Sequence, residues 1–170
     1  MKKSEWCNPA AFLRPPEKRL QSSFFGYTVK QTLKRRTDMD NNSGYKREIL
    51  SKAAKAGLPY SPAVGCGPFV FISGSVGRVP GSGEIAKGDM SAQTRQTMQN
   101  IAAALEKAGS SFEQALKATV FVTDMGLFAE MNAVYVQFFR SDPPARSCVE
   151  VSRLPDPEAL VEIELIALRS

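Results

Sequence analysis

The stretch "LVEIELIAL", residues 160–168, constrains the fold more than any other part of the chain. A strand turns successive side chains to opposite faces. Val161, Ile163, Leu165 and Ala167 therefore form one uninterrupted apolar row, while Leu160, Glu162, Glu164, Ile166 and Leu168 form the other. The first row needs a hydrophobic cover, and helices are the natural one. The second mixes carboxylates with large apolar groups. Water solvates the acids but not Leu160, Ile166 and Leu168, so this face is expected to be partly buried against another subunit.

The cover is found upstream. Asp89 is placed to cap a helix in which Thr94, Met98, Ile101, Leu105 and Ala108 recur at spacings of three and four, with Gly109 as the stop. A second amphipathic stretch, "LFAEMNAVYVQFF" (127–139), aligns Phe128, Met131, Tyr135 and Phe138 on one stripe, which reads as core. Short branched or aromatic runs at 68–74, 115–123 and 147–152 read as strands, with an extra strand near 60–66. Residues 74–84, "GSVGRVPGSGE", read as a Gly-rich hairpin-type loop and lack the Gly-Lys-Ser/Thr of a phosphate-binding loop. The order β, α, β, α, β, β predicts an α+β domain, with two helices packed on one face of a mixed sheet.

Charge divides the chain. Residues 1–47 hold 11 Lys/Arg against 4 Asp/Glu, leaving 11 against 13 for the rest of the 22 and 17 in the whole chain. The body is slightly acidic and the basic charge sits in a leader without apolar periodicity. Residues 1–47 are read as a disordered extension and 48–170 as the folded domain. A transit peptide or a nucleic-acid arm are the other readings, but the leader's four acids fit the first poorly. The expected compartment is the cytoplasm, or the mitochondrion if the leader is a transit peptide. No run approaches the roughly 20 apolar residues that span a bilayer.

The chain has no histidine, which excludes histidine triads and histidine metal sites. Cys7, Cys66 and Cys148 form no C-x-x-C pair, so neither a zinc site nor a disulfide framework is expected. Arg146, in "PPARSCVEVSRLP" (143–155), shares one strand parity with Cys148 and Glu150. If this strand and the last formed a simple hairpin, Arg146 and Glu162 would lie five residues apart in register, roughly 17 Å. Either the strands pair otherwise, or any site holding both residues crosses a subunit boundary. Taken singly, Arg146, Glu162, Cys148 and Asn132 are ordinary structural or surface residues.

Together with "VEIELIAL", the segment "PPARSCVEVSRLP" resembles the C-terminal signature of the reactive-intermediate deaminases, the RidA or YjgF type. Four further stretches match in order: "GLPYSPAV" (57–64), "FVFISG" (69–74), "TRQTMQNIAAALEKAGSSFE" (94–113) and "TVFVTDMGLFAEMNAVYVQFF" (119–139). The resemblance covers about residues 52–169. It implies a chorismate-mutase-like fold and a homotrimer whose sheets close a central barrel, with sites in the clefts between subunits. The implied activity is hydrolysis of enamines and imines, such as 2-aminoacrylate, 2-iminobutanoate and 2-iminopropanoate, to 2-keto acid and ammonia. Neither a cofactor nor a metal is implied.

By the same resemblance, Arg146 clamps the substrate carboxylate and Glu162 orients or activates water. Tyr60 and Ser73 supply cleft hydroxyls, Asn132 lines the cleft from its helix, and Cys148 lies beside the substrate without attacking it. A planar guanidinium suits a bidentate carboxylate as lysine does not. Pro62 and Ser75 stand where the family often has Gln, and the loop 74–84 also departs from its pattern, which bears on selectivity. Two other functions stay open: an RNA-binding, endoribonuclease-like translation inhibitor, which the acidic body disfavours, and a non-catalytic trimer that binds small carboxylates.

Overall fold

The computed structural model describes residues 44–51 and 59–169. Most of the expected N-terminal extension lies outside the described residues. The described chain runs β1 (Arg47–Ser51), β2 (Ala63–Cys66), β3 (Phe69–Val76), α1 (Met90–Lys107), β4 (Ala115–Val122), α2 (Phe128–Tyr135), β5 (Ala145–Glu150) and β6 (Val161–Leu168). The six strands form one mixed sheet in the order β1-β2-β3-β6-β4-β5. Only β4 and β5 run parallel, and the remaining neighbours are antiparallel. No described helix is long and apolar enough to cross a membrane.

Local chemistry sets the helix ends. The Asp89 carboxylate accepts from Ala92 N at 2.9 Å and opens α1. Gly109, at φ +72, turns the chain out of the helix while Ser110 N donates to Leu105 O, which satisfies a terminal carbonyl. The predicted stripe Thr94, Met98, Ile101, Leu105 and Ala108 is buried along its length. Helix α2 is shorter than its periodicity suggested, because Val136–Phe138 tighten into a 3₁₀ turn. Met131 and Tyr135 are buried, and Phe128 and Phe138 pack partly against the same core.

In β6 the alternation is as predicted: Val161, Ile163, Leu165 and Ala167 are buried, together with Val70 and Ile72 of β3 and Ala118, Val120 and Val122 of β4. Leu160 departs from the expectation, since it precedes the strand and packs on the core rather than facing outward. The opposite, open face of the sheet carries Phe71 opposite Ile166 and Phe69 opposite Leu168. Phe69, Phe71 and Leu168 stay 41, 42 and 37% exposed. Such a cluster of large apolar groups on an uncovered sheet face is costly in water.

The simple hairpin between the two last strands does not form. Strand β4 lies between them, bonded to β5 on one side and β6 on the other. The long segment 151–160 therefore carries the chain past β4 rather than turning tightly back.

Candidate functional site

Register decides where the candidate residues can act. Arg146 lies opposite Ala118 on β4, and Ala118 points into the helix-covered core. Glu162 lies opposite Phe121, one residue parity away, and so faces the open side. Side chains of directly opposed residues share a face. Arg146 and Glu162 therefore project from opposite faces of one sheet. They are also three residues apart along β4, roughly 10 Å, and two strand spacings apart, again roughly 10 Å. One chain does not bring them together.

Arg146 belongs to a group on the helix side. Its guanidinium carbon lies 4.6 Å from the centre of the Tyr135 ring and 5.6 Å from that of Phe128. These two residues are seven apart on α2, two helical turns, so one helix flank offers both rings to the cation. Asn132 stands four residues after Phe128 and three before Tyr135, on the same flank. Among the described residues no carboxylate lies within ion-pair distance of Arg146. The cation is held by aromatic faces, and among the described residues its fork is committed to no anion.

Two neighbours stay neutral. Burial pushes the Tyr135 hydroxyl up to about 12, against the opposing pull of Arg146. The residue is 3% exposed, and among the described residues its hydroxyl has no hydrogen-bond partner. Burial likewise raises the Cys148 thiol, with Arg146 again opposing. A thiol held protonated is a poor nucleophile.

Glu162 belongs to a second group on the open side. With Tyr60, Ser73, Gly74, Val76, Arg78, Pro155 and Asp156 it lines a cleft of about 240 Å³. Ser73 Oγ donates to Ser61 O at 2.8 Å, and Ser73 N donates to Pro62 O at 3.0 Å. Those bonds tie β3 to the segment carrying Tyr60. Burial, and then repulsion from Glu164 on the same face, hold the Glu162 carboxyl above its ordinary value. Gly74 makes room for it, because a Cβ at residue 74 would collide with Glu162 Oε1.

Of the six residues singled out from the sequence, Tyr60, Ser73 and Glu162 share the open-side cleft, while Arg146, Cys148 and Asn132 sit on the helix side. Sequence reasoning missed Phe128 and Tyr135 as supports for Arg146, having read them only as core. Their seven-residue spacing was visible, but its target was not. It also missed Gly74, Arg78 and Asp156, which carry no local signal. Among the described residues no group of three or more Cys, Asp or Glu side chains is placed to hold a metal ion.

Residues 50–169 match the family described as Endoribonuclease L-PSP. A RutC family protein of Pyrococcus horikoshii is 50% identical over 111 residues, covering 65% of this chain and 87% of its own length. The 2-iminobutanoate/2-iminopropanoate deaminase of Salmonella typhimurium is 42% identical over 127 residues, covering 72% and 98%. Among solved structures, Escherichia coli TdcF with bound serine is 40% identical with a TM-score of 0.64, covering 72% of this chain and 96% of that one. The structural similarity and the sequence match point to the same family. This chain belongs to the endoribonuclease L-PSP family, the group also known by the names RidA and YjgF.

Proposed function

We propose that this protein is a hydrolytic deaminase of small 2-imino acids, acting as a homotrimer whose sites form where the helix side of one copy meets the open side of another. The observation that carries the reading is the division of the candidate residues. On one face stands a cation with no carboxylate in ion-pair distance among the described residues, and a carboxylate of raised basicity lines a cleft on the other. The cation of the cleft, Arg78, is already paired with Asp156 at 2.7 Å, so Arg146 is the one offered to a substrate carboxylate. The exposed Phe69, Phe71 and Leu168 favour a second copy as the cover of the open face. The deaminase name of the Salmonella relative and the serine bound in TdcF support a small amino-acid-like substrate.

In this arrangement Arg146 pairs its two donors with the substrate carboxylate, and the Phe128 and Tyr135 rings hold the guanidinium plane. A water in the cleft adds to the iminium carbon, and Glu162 takes its proton, giving a carbinolamine. Glu162 returns that proton to nitrogen, the carbon–nitrogen bond breaks, and the hydroxyl proton leaves with the departing ammonia as the carbonyl forms. An iminium carbon is already electrophilic, so positioning supplies most of the acceleration. A base somewhat stronger than an ordinary carboxylate suits the first step, which burial of Glu162 provides.

The test generates 2-iminobutanoate from threonine with a dehydratase and follows keto-acid formation with and without the protein. Acceleration by the wild type and its loss in Arg146→Ala are expected. No acceleration by the wild type would sink the assignment.

A further inference from the structure

One feature of the cleft plays no part in that chemistry. Arg78, from the Gly-rich segment 74–84, lines the same cleft as Glu162. Its Nη2 meets Asp156 Oδ2 at 2.7 Å and its Nη1 donates to Gly83 O at 2.8 Å. An exposed ion pair would ordinarily do little. This pair differs because both of its ends are fastened to the core.

On the arginine side, Asn100 Nδ2 of α1 donates to Arg78 O at 2.9 Å and to Val76 O at 3.1 Å, and Gln96 Nε2 donates to Asn100 Oδ1 at 3.0 Å. A bridge between Arg78 and Ile85 closes the loop behind it, and Ile85 is buried with Leu154 and Ala159. On the aspartate side, Asp156 Oδ1 accepts from Glu158 N at 3.0 Å and Asp156 O accepts from Ala159 N at 3.1 Å. The buried Gln93 then grips the same segment twice, donating to Glu158 O at 2.9 Å and accepting from Leu160 N at 2.8 Å. The Asp156 side chain is only 19% exposed, against 49% for Arg78.

A long side chain fixed at both ends within the lining of a cleft of about 240 Å³ limits what else the cleft holds. We propose that the Arg78–Asp156 pair is the specificity-determining wall of the Glu162 cleft, confining the substrate's side chain to short aliphatic groups. The inference rests on the imine-hydrolysis reading and names its substrate class. Asp156 has a second part in the wall: it commits the guanidinium away from Glu162, which lines the same cleft.

The experiment compares 2-imino acids released by an amino-acid oxidase from 2-aminobutyrate and from phenylalanine, with semicarbazide competing for the imine. The quantity read is the ratio of the two deamination efficiencies, bulky over small. In Arg78→Ala the ratio is expected to rise at least about tenfold, the scale on which pockets discriminate apolar groups. In Asp156→Ala it rises less, because the guanidinium keeps its bond to Gly83. Asp156→Asn preserves the shape of the side chain and its bond to Arg78, and keeps the wild-type ratio. If Arg78→Ala leaves the ratio unchanged while the wild type hydrolyses the small imine, the wall is refuted and the deaminase reading stands. A ratio that rises in Arg78→Ala but not in Asp156→Ala refutes the role of the pair. If the wild type hydrolyses neither imine, the reading of the site fails first.

Discussion

Replacing Gly74 by alanine tests the candidate base without touching its chemistry. Gly74 lies within β3 and is not one of the glycines at positive φ, so alanine fits the backbone there. The added Cβ would collide with Glu162 Oε1 and stand 2.8 Å from Glu162 Cδ and 3.2 Å from its Cγ. To restore ordinary contacts of 3.4 Å or more, the carboxyl carbon must retreat from 2.8 Å and the oxygen from closer still. The obstacle is the end of a flexible side chain, so the side chain yields and the fold survives. A displacement of about 1 Å at a reacting group costs on the order of 10²-fold, equivalent to about 2.7 kcal/mol in the barrier. The assay is keto-acid release from 2-iminobutanoate, run beside thermal unfolding. Gly74→Ala is expected to lose about two orders of magnitude in kcat/KM at an unchanged melting temperature. A variant that turns over at the wild-type rate would show that the position of Glu162 does not matter, and the proposed water activation would fall with it.

Three further outcomes follow from the same geometry. Tyr135→Phe keeps the ring beside Arg146 and removes a buried hydroxyl that has no hydrogen-bond partner among the described residues, so steady-state kinetics should barely change. Tyr135→Leu loses the cation–π contact and raises KM by about 2- to 30-fold, the equivalent of about 0.5–2 kcal/mol; equal KM values in the two variants would contradict the support role. Glu162→Gln should abolish turnover yet raise the melting temperature at neutral pH. The sign follows from linkage: burial and Glu164 raise the folded pKa, so the wild-type carboxyl costs stability that sets in above the ordinary 4.5 and is complete above the raised value. The gain should vanish below the ordinary 4.5, where the carboxyl is protonated folded or unfolded, and wild-type activity should fall as pH drops through the raised value. Finally, Arg146→Ala and Glu162→Gln should each be inactive alone and regain activity when unfolded and refolded together. Hybrid oligomers, verified with differently tagged copies, that stay inactive would place both residues in one chain's site.

Much of the fold was legible because the signals are local. Asp89 caps its helix through a neighbour three residues away, Gly109 ends it through its own φ, and the parity of β6 divides Ile163 and Leu165 from Glu162 and Glu164 wherever the strand lies. Arg146 and Glu162 were legible as candidates because each sits in a distinctive run of neighbours. Strand β1 was not legible, since its Arg47–Ser51 has little apolar character of its own and depends on its bonds to β2.

Which faces meet was decided only in three dimensions. Parity within a strand is covalent, but the choice of neighbouring strand is made by backbone hydrogen bonds that any sequence can form and by the total burial that each arrangement achieves. By itself the sequence determined that Arg146 and Glu162 could not share a simple hairpin site. The register of β4 against β5 and β6 decided that they stand on opposite faces, with Arg146 against the Phe128 and Tyr135 rings and Glu162 in a cleft lined by Arg78 and Asp156. Those contacts join segments as much as 78 residues apart in the chain, as in the bond from Arg78 to Asp156, and so leave no local pattern to read.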